Sequence, residues 1–455
     1  MTSPRLFGTD GIRAPFGEEP LDRATISALA HALGARLRAA RGKRSVPPIV
    51  VLGGDTREST PEICGWLVSG LVPEGVEVRY EEDIPTPGIA YLVRQHRAAC
   101  GIAVSASHNP VPDNGVKLFD RKGFKWTEEA EAELESELLA IRDAPGFAPN
   151  AATRPKRYKG LALEYYEALL AYLPGKKPLA GLKLAVDCGH GAASDYGGLL
   201  FNAMGAAVHV MNDRPDGTNI NAGCGSTHPE VVAARVLASG ADLGLTFDGD
   251  ADRCILVDEQ GEVRDGDAIL YLWARDLAAK DALPGRKIVA TSMSNLGLVR
   301  ALARDGIEVV RCDVGDRQVV ATMKSEGIVL GGEQSGHIVH LREASTGDGL
   351  ITALQMAALR ARSGEPLSQM LAGFRRYPQI LKNIRVTDKR AFRDLPGVAA
   401  AAARVEKLLG EDGRLVLRYS GTEPLARVMI EGLEQGQIEE MAEEIAREVR
   451  SAIGA

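Results

Sequence analysis

The chain has no long apolar run, no paired cysteines and no block of like charge, and each absence removes a class of function. No apolar stretch approaches the roughly 18 residues of a spanning helix, and the start MTSPRLFGTDGIR has no apolar signal-like core, so the sequence predicts a soluble, cytoplasmic protein without a membrane partner. The six cysteines (Cys64, Cys100, Cys188, Cys224, Cys254 and Cys312) show neither CxxC nor disulfide-like spacing, as expected of a reducing compartment. Lys and Arg number 54 against 61 Asp and Glu, a net charge of -7, which speaks against nucleic acid as a partner. Aromatic residues are sparse at 5%.

Glycine is plentiful instead. Fifty glycines in 455 residues exceed the roughly 7% average usage and imply many tight turns. The length corresponds to about three domains of ordinary size. Short runs rich in Val, Ile and Leu alternate with amphipathic stretches, the pattern of doubly wound α/β domains with mostly parallel sheets. Strands are predicted at 49–53, 101–105, 182–187, 241–247, 288–291 and 328–330. Helices are predicted at 127–142, 229–239 and 295–305, and another from the cap Thr60-Pro61-Glu62 through Leu71. The aperiodic segment 143–157, with three prolines, reads as a linker, and CILVDEQGEVRDGD reads as a hairpin. Beyond Arg375 the order becomes strand, helix, two strands (413–419, 426–432) and a helix turning Ile438, Met441, Ile445 and Val449 inward. Four domains follow: 1–152, 153–258 and 259–374, each α/β, and a smaller α+β domain, 375–455.

Three aspartates, Asp248, Asp250 and Asp252, follow the apolar run ADLGLTF. In extended chain, carboxylates at i, i+2 and i+4 share a face, here at the carboxyl end of a strand, where open α/β sheets bind ligands. Three hard oxygen donors suit a Mg²⁺ ion whose shell a phosphate completes. An acidic turn in solvent is the bland alternative. An EF-hand loop would need Gly where Arg253 stands, and a dehalogenase-type phosphatase, with the first Asp as nucleophile, remains an alternative.

In Ser105-Ala-Ser107-His108-Asn109-Pro110 a strand runs into a turn that exposes Ser107 beside His108, with Lys117 ten residues on. An exposed serine so placed can accept a phosphoryl group, with His108 or Lys117 moving protons and offsetting charge; a polar turn is the competing reading. Arg418-Tyr-Ser420-Gly421-Thr422-Glu423-Pro424 and Arg427 supply two guanidinium groups, two hydroxyls and a flexible turn, a phosphate cradle or a solvated hairpin loop. Glu333-Gln334-Ser335-Gly336-His337 suits hydrogen bonding to sugar hydroxyls, or is a tight turn. Gly8-Thr9-Asp10-Gly11-Ile12-Arg13 sets an arginine on a glycine-rich turn.

Taken together and in this order, FGTDGIR, SASHNP with DNGVK, DGDADR, GEQSGH and RYSGTEP make the chain resemble the α-D-phosphohexomutase superfamily over its whole length. The resemblance implies four domains around a central cleft, each contributing one loop; a hinge near Arg375 is expected to close the last domain over the substrate. It implies that Ser107 carries the transferable phosphoryl group and that Asp248, Asp250 and Asp252, with the phosphate on Ser107, hold one Mg²⁺. Arg13, His108 and Lys117 would then serve charge and proton transfer, with Arg253 beside the metal loop. Glu333, Ser335 and His337 would face the sugar. Arg418, Ser420, Gly421, Thr422 and Arg427 would bind its non-reacting phosphate. A hexose 1,6-bisphosphate is the implied intermediate and activator, and a homodimer the implied assembly. Gln334, SMSNLGL (292–298), PDGTNIN (215–221) and STGDGL (345–350) follow the superfamily's glucosamine-acting branch, implying interconversion of glucosamine 6-phosphate and glucosamine 1-phosphate on the way to UDP-N-acetylglucosamine and cell-wall precursors. Ala14 and Gln318 depart from the usual Gly and aromatic. Neutral hexose phosphates, a hydrolase, or a phosphosugar-binding protein without catalysis are the alternatives.

Overall fold

The computed structural model describes residues 6–42, 46–420 and 424–455. Contacts divide the chain into two compact units: one comprises residues 1–293 and 309–371, the other 294–308 and 372–455.

Within the larger unit, three sheets repeat one plan. In the first, Ile49–Gly54 pairs in parallel with Glu77–Asp83 and Cys100–Val104, and Asp113–Phe119 and Ile12–Pro15 extend it antiparallel. In the second, Lys183–Asp187 lies parallel to Ala207–Met211 and Leu243–Phe247, and Cys254–Asp258 and Val263–Arg264 add an antiparallel edge. In the third, Lys287–Thr291 is parallel to Leu330–Gly332, which Ile338–His340 flanks antiparallel. Parallel strands inside and an antiparallel edge outside put the loops that follow the parallel strands at their carboxyl ends, the usual ligand position. Buried Val50, Leu52, Ile102 and Leu118 pack the first sheet against Leu29, Leu33, Ile63 and Leu67 of its helices. The sequence-predicted cap at Thr60 moves by one residue: the helix is Thr60–Leu71, and the Thr60 hydroxyl turns back to Asp55 at 3.2 Å.

In the smaller unit the antiparallel strands Gln379–Arg385, Leu425–Glu431 and Arg414–Tyr419 are backed by Pro396–Leu409 and Gln435–Ile453, burying Ile438, Met441, Ile445 and Val449 as their spacing predicts. The helix Leu296–Arg304 belongs to this unit, and Asn295 at its start makes several of the bonds that tie it there. Asn295 caps the helix through Gly297 N, exchanges two hydrogen bonds with the Tyr377 backbone, and donates to buried Glu431 at 3.1 Å. No helix of the described residues is long and apolar enough to cross a membrane.

Asp348 makes a pH-dependent contribution to stability. Its Oδ1 caps the helix Gly349–Ser363 through Ile351 N and its Oδ2 accepts the Tyr165 hydroxyl at 2.8 Å, yet burial outweighs both bonds and pushes its pKa up to about 6. A folded-state pKa above the unfolded one gives stability that is full at low pH and lost as the pH rises toward 6. Asp348→Asn keeps the cap and removes the titration. Its melting temperature relative to wild type should therefore rise between pH 5 and pH 7.5, an effect of about 1 to 3 kcal/mol. A difference that stays constant with pH would refute the assignment.

Candidate active site

Three loops of the larger unit meet where their parallel strands end. After Cys100–Val104 the chain turns through Ser107, whose φ of +54° lies in the left-handed region that a serine enters only at a cost of about 1 kcal/mol. Far from being exposed, as its turn sequence suggests, Ser107 is buried at 1% accessibility: its Oγ donates to Asp248 Oδ2 at 2.6 Å and lies 3.2 Å from His108 Nδ1. Here the expectation of a surface serine is corrected, because the aspartate loop covers it.

The aspartate loop follows Leu243–Phe247. Its carboxylates converge, but not by strand alternation: residues 249–252 form a turn and a bend, Ala251 N donates to Asp248 O at 3.0 Å, and Ala251 takes φ +55°. Asp248, Asp250 and Asp252 can each offer one oxygen with all three atoms within 4.8 Å of one another. Such a packing of buried anions needs cations. Lys117, 1% exposed, supplies one, at 2.7 Å from Asp250 and 3.5 Å from Asp252. Burial would lower the ammonium's pKa, but Asp10, Asp250 and Asp252 outweigh that and raise it. Burial likewise opposes ionisation of Asp250, and Lys117 with the Thr86 hydroxyl at 2.7 Å reverses the effect and pulls its pKa down. For Asp248, burial, Asp252 and Asp250 outweigh Arg253 at 3.9 Å and the Ser107 hydroxyl, and push it well above the carboxylate range. Asp250 Oδ1 and Asp252 Oδ1 are buried without a hydrogen-bond partner among the described residues. Three converging buried carboxyl groups, two of them with an orphaned oxygen, fit a hard divalent cation.

Strand register brings in the N-terminal loop. Arg13 lies opposite Gly115, two residues before Lys117, and Gly11 must be glycine because a Cβ there would stand 2.3 Å from the Val116 carbonyl. Arg13 ion-pairs with Asp10, which also contacts Lys117 at 3.4 Å and Lys125. Lys125 in turn pairs with Asp316. Burial, then Arg253 and Arg13, lower the His108 pKa to about 4, so the imidazole is neutral at pH 7. Arg253 sits 3.8 Å from Asp252 and 3.9 Å from Asp248.

In the glycine-bounded loop Glu333 accepts Gly315 N at 3.1 Å, Ser335 is exposed, and His337 is buried with Nε2 3.8 Å from Asp316 and 3.9 Å from Asp252. In the smaller unit Arg418 and Arg427 face each other across paired strands, Arg427 reaches Ser420 Oγ at 3.5 Å, and Lys389 donates to the Ser420 carbonyl at 2.6 Å. Gly421 and Thr422 lie outside the described residues. Sequence reasoning missed Thr86, Asp10, Lys125, Asp316 and Lys389. Only Asp10 stood inside a motif it had singled out; the others carry no local signal, since each gains its partner through tertiary contact.

Comparison with known proteins agrees over the full length. The four models of the phosphoglucomutase/phosphomannomutase family match in order: alpha/beta/alpha domain I at residues 4–144, domain II at 164–261, domain III at 265–377 and the C-terminal domain at 381–448. The phosphoglucosamine mutase of Anaeromyxobacter dehalogenans is 44% identical, with 99% of each chain covered. That of Symbiobacterium thermophilum is 43% identical, covering 99% of this chain and 100% of its own. Among solved structures, a phosphoglucomutase/phosphomannomutase family protein from Burkholderia thailandensis superposes with a TM-score of 0.81 at 25% identity, covering 98% of this chain and 97% of its own.

Proposed function

Because the chain belongs to the phosphoglucomutase/phosphomannomutase family, we propose that it interconverts glucosamine 6-phosphate and glucosamine 1-phosphate by phosphoryl transfer through Ser107. The observation that carries the reading is the Ser107 hydroxyl 2.6 Å from a carboxylate cluster that Lys117 only partly neutralises. The amino-sugar substrate rests on the relatives at 43 to 44% identity. The four domains run 1–152, 153–258, 259–374 and 375–455, and the enzyme works in the cytoplasm as a homodimer.

Phosphoryl transfer asks the protein for position and charge stabilisation. Phosphorylated Ser107 gives its phosphoryl group to the free sugar hydroxyl: the P–Oγ bond breaks, the P–O bond to the sugar forms, and the hydroxyl proton ends on Oγ. Neutral His108, 3.2 Å from Oγ, is placed to relay that proton. Lys117, held cationic, and Arg13 and Arg253 offset the phosphoryl charge. Asp248, Asp250 and Asp252 would hold Mg²⁺, which supplies charge neutralisation at the phosphoryl oxygens. Glu333, Ser335 and His337 bind the sugar; Arg418, Ser420, Gly421, Thr422 and Arg427 bind the phosphate that does not react, two facing guanidinium groups suiting a dianion. The glucosamine 1,6-bisphosphate formed then turns over and returns its other phosphoryl group to Ser107.

Conversion of glucosamine 6-phosphate with Mg²⁺ and catalytic glucose 1,6-bisphosphate, set beside glucose 1-phosphate, tests the reading. The amino sugar is expected to turn over faster by at least about tenfold, a difference of about 1.4 kcal/mol in the barrier. Preference for glucose 1-phosphate would overturn the substrate assignment, and release of inorganic phosphate without isomerisation would overturn the mutase.

A further inference from the structure

We propose that Asn221 and Arg57 are positioning residues that clamp the backbone of the phosphoserine turn and thereby set the rate of phosphoryl transfer to and from Ser107. The inference rests on the reading of Ser107 as phosphoryl acceptor. Its observation is a pair of carbonyls each held twice. Asn221 Nδ2 donates to the Ser107 carbonyl at 2.9 Å and to the Asn109 carbonyl at 3.2 Å. The Arg57 guanidinium donates to the same two carbonyls, at 3.3 Å and 2.6 Å. Neither donor sits on the turn: Arg57 follows the strand Ile49–Gly54, and Asn221 ends the PDGTNIN segment, more than a hundred residues away in sequence.

Both donors are themselves fixed. Arg57 is 1% exposed and ion-pairs with buried Asp55, which also accepts the Ser105 hydroxyl; Ser105 Oγ in turn accepts Ser107 N at 2.8 Å. Asn221 is 9% exposed, takes φ +56°, a conformation asparagine tolerates better than most residues, and donates its own N–H to Gly189 O at 2.9 Å. The left-handed backbone of Ser107 is thus held by four hydrogen bonds that fix its carbonyl and the one two residues on. Strained backbone persists at functional sites when its surroundings over-determine it, and here they do so on both sides of the reacting hydroxyl.

The clamp also accounts for the middle of the aspartate motif. A Cβ on Gly249 would stand 2.7 Å from the Ser107 carbonyl oxygen and 3.0 Å from Asn221 Nδ2. Gly249 therefore lets the aspartate loop close onto the clamped turn, so that the carbonyl which Asn221 holds is the surface on which the Asp248 side packs. Asn221 and Arg57 touch no reacting atom; they act by keeping Ser107 Oγ in register with Asp248.

The test uses the full chain and measures, in a single turnover with glucose 1,6-bisphosphate and Mg²⁺, the rate at which Ser107 gains phosphate, read by intact mass. Asn221→Ala and Asn221→Asp should each slow this step by about 10- to 100-fold, the cost of small misplacements of a reacting group. KM for the sugar phosphate should stay within about threefold, a split that general destabilisation would not produce. Gly249→Ala keeps every donor but displaces the carbonyl from the opposite face, and it should give the same split; it decides the matter if the Asn221 variants do not fold. Transfer within about threefold of wild type in any folded member of the set would overturn the clamp. If wild type itself gains no phosphate on Ser107, the functional reading fails instead.

Discussion

Replacing Ser107 with alanine is expected to lower mutase turnover by at least about 10⁴-fold while the protein stays folded, because the substitution removes the atom that carries the phosphoryl group. No neighbour can take over. His108 stands 3.2 Å from Oγ, but it is Oγ and not the imidazole that donates to Asp248, at 2.6 Å. Ser105, the nearest other hydroxyl in the turn, is committed to Asp55 and to Ser107 N. The fold should survive, since alanine fits the volume and the carbonyl clamp does not use the side chain. The structural cost is one hydrogen bond to Asp248. The measurement pairs a coupled assay on glucosamine 6-phosphate with the melting temperature. Residual turnover above about one part in a hundred, with contamination excluded, would remove Ser107 from the reaction path.

Most of this site was legible because its chemistry is local in sequence. The three aspartates lie within five residues of one another and the serine turn with its histidine is as short, so the motifs already named side chains that the fold brings together at Ser107 and Asp248. What escaped was geometry made by tertiary contact. Alternation along a strand was the wrong reason for the aspartates to converge; the turn after Asp248 does it, where Ala251 takes a left-handed conformation and its N–H returns to Asp248 O. The serine was legible, but its burial was not, since exposure depends on which loop closes over it. Lys125 and Asp316 are 191 residues apart and meet only in the folded chain. In the fold, the strands and helices that the rhythm named lie within two residues of their places, whereas helices such as Arg23–Arg41, Gly266–Ala279 and Gly349–Ser363 were not named and the attachment of 294–308 to the C-terminal unit was hidden. That attachment turns on Asn295 and Glu431, 136 residues apart.

Lys117→Met should show how far the site is built around missing positive charge. The ammonium is 1% exposed and contacts Asp250 at 2.7 Å, Asp10 at 3.4 Å and Asp252 at 3.5 Å. Methionine matches the stem in length and removes only the charge, leaving buried carboxylates without compensation, a change that typically costs about 3 to 5 kcal/mol. In chelator the variant's melting temperature should therefore fall well below that of wild type. Adding Mg²⁺ should raise it by more than it raises wild type, because a more negative cluster binds the cation more tightly and binding to the folded state adds stability in proportion to the logarithm of the affinity. Turnover should stay low even at saturating Mg²⁺, by about 10² to 10³-fold, since a cation placed to offset charge on the phosphoryl group is lost along with the ion pair. Stability and catalysis then separate. If Mg²⁺ restores both, Lys117 only balances the aspartates; if the variant melts like wild type in chelator, the carboxylates already share protons and the ion pairs are not what holds the cluster.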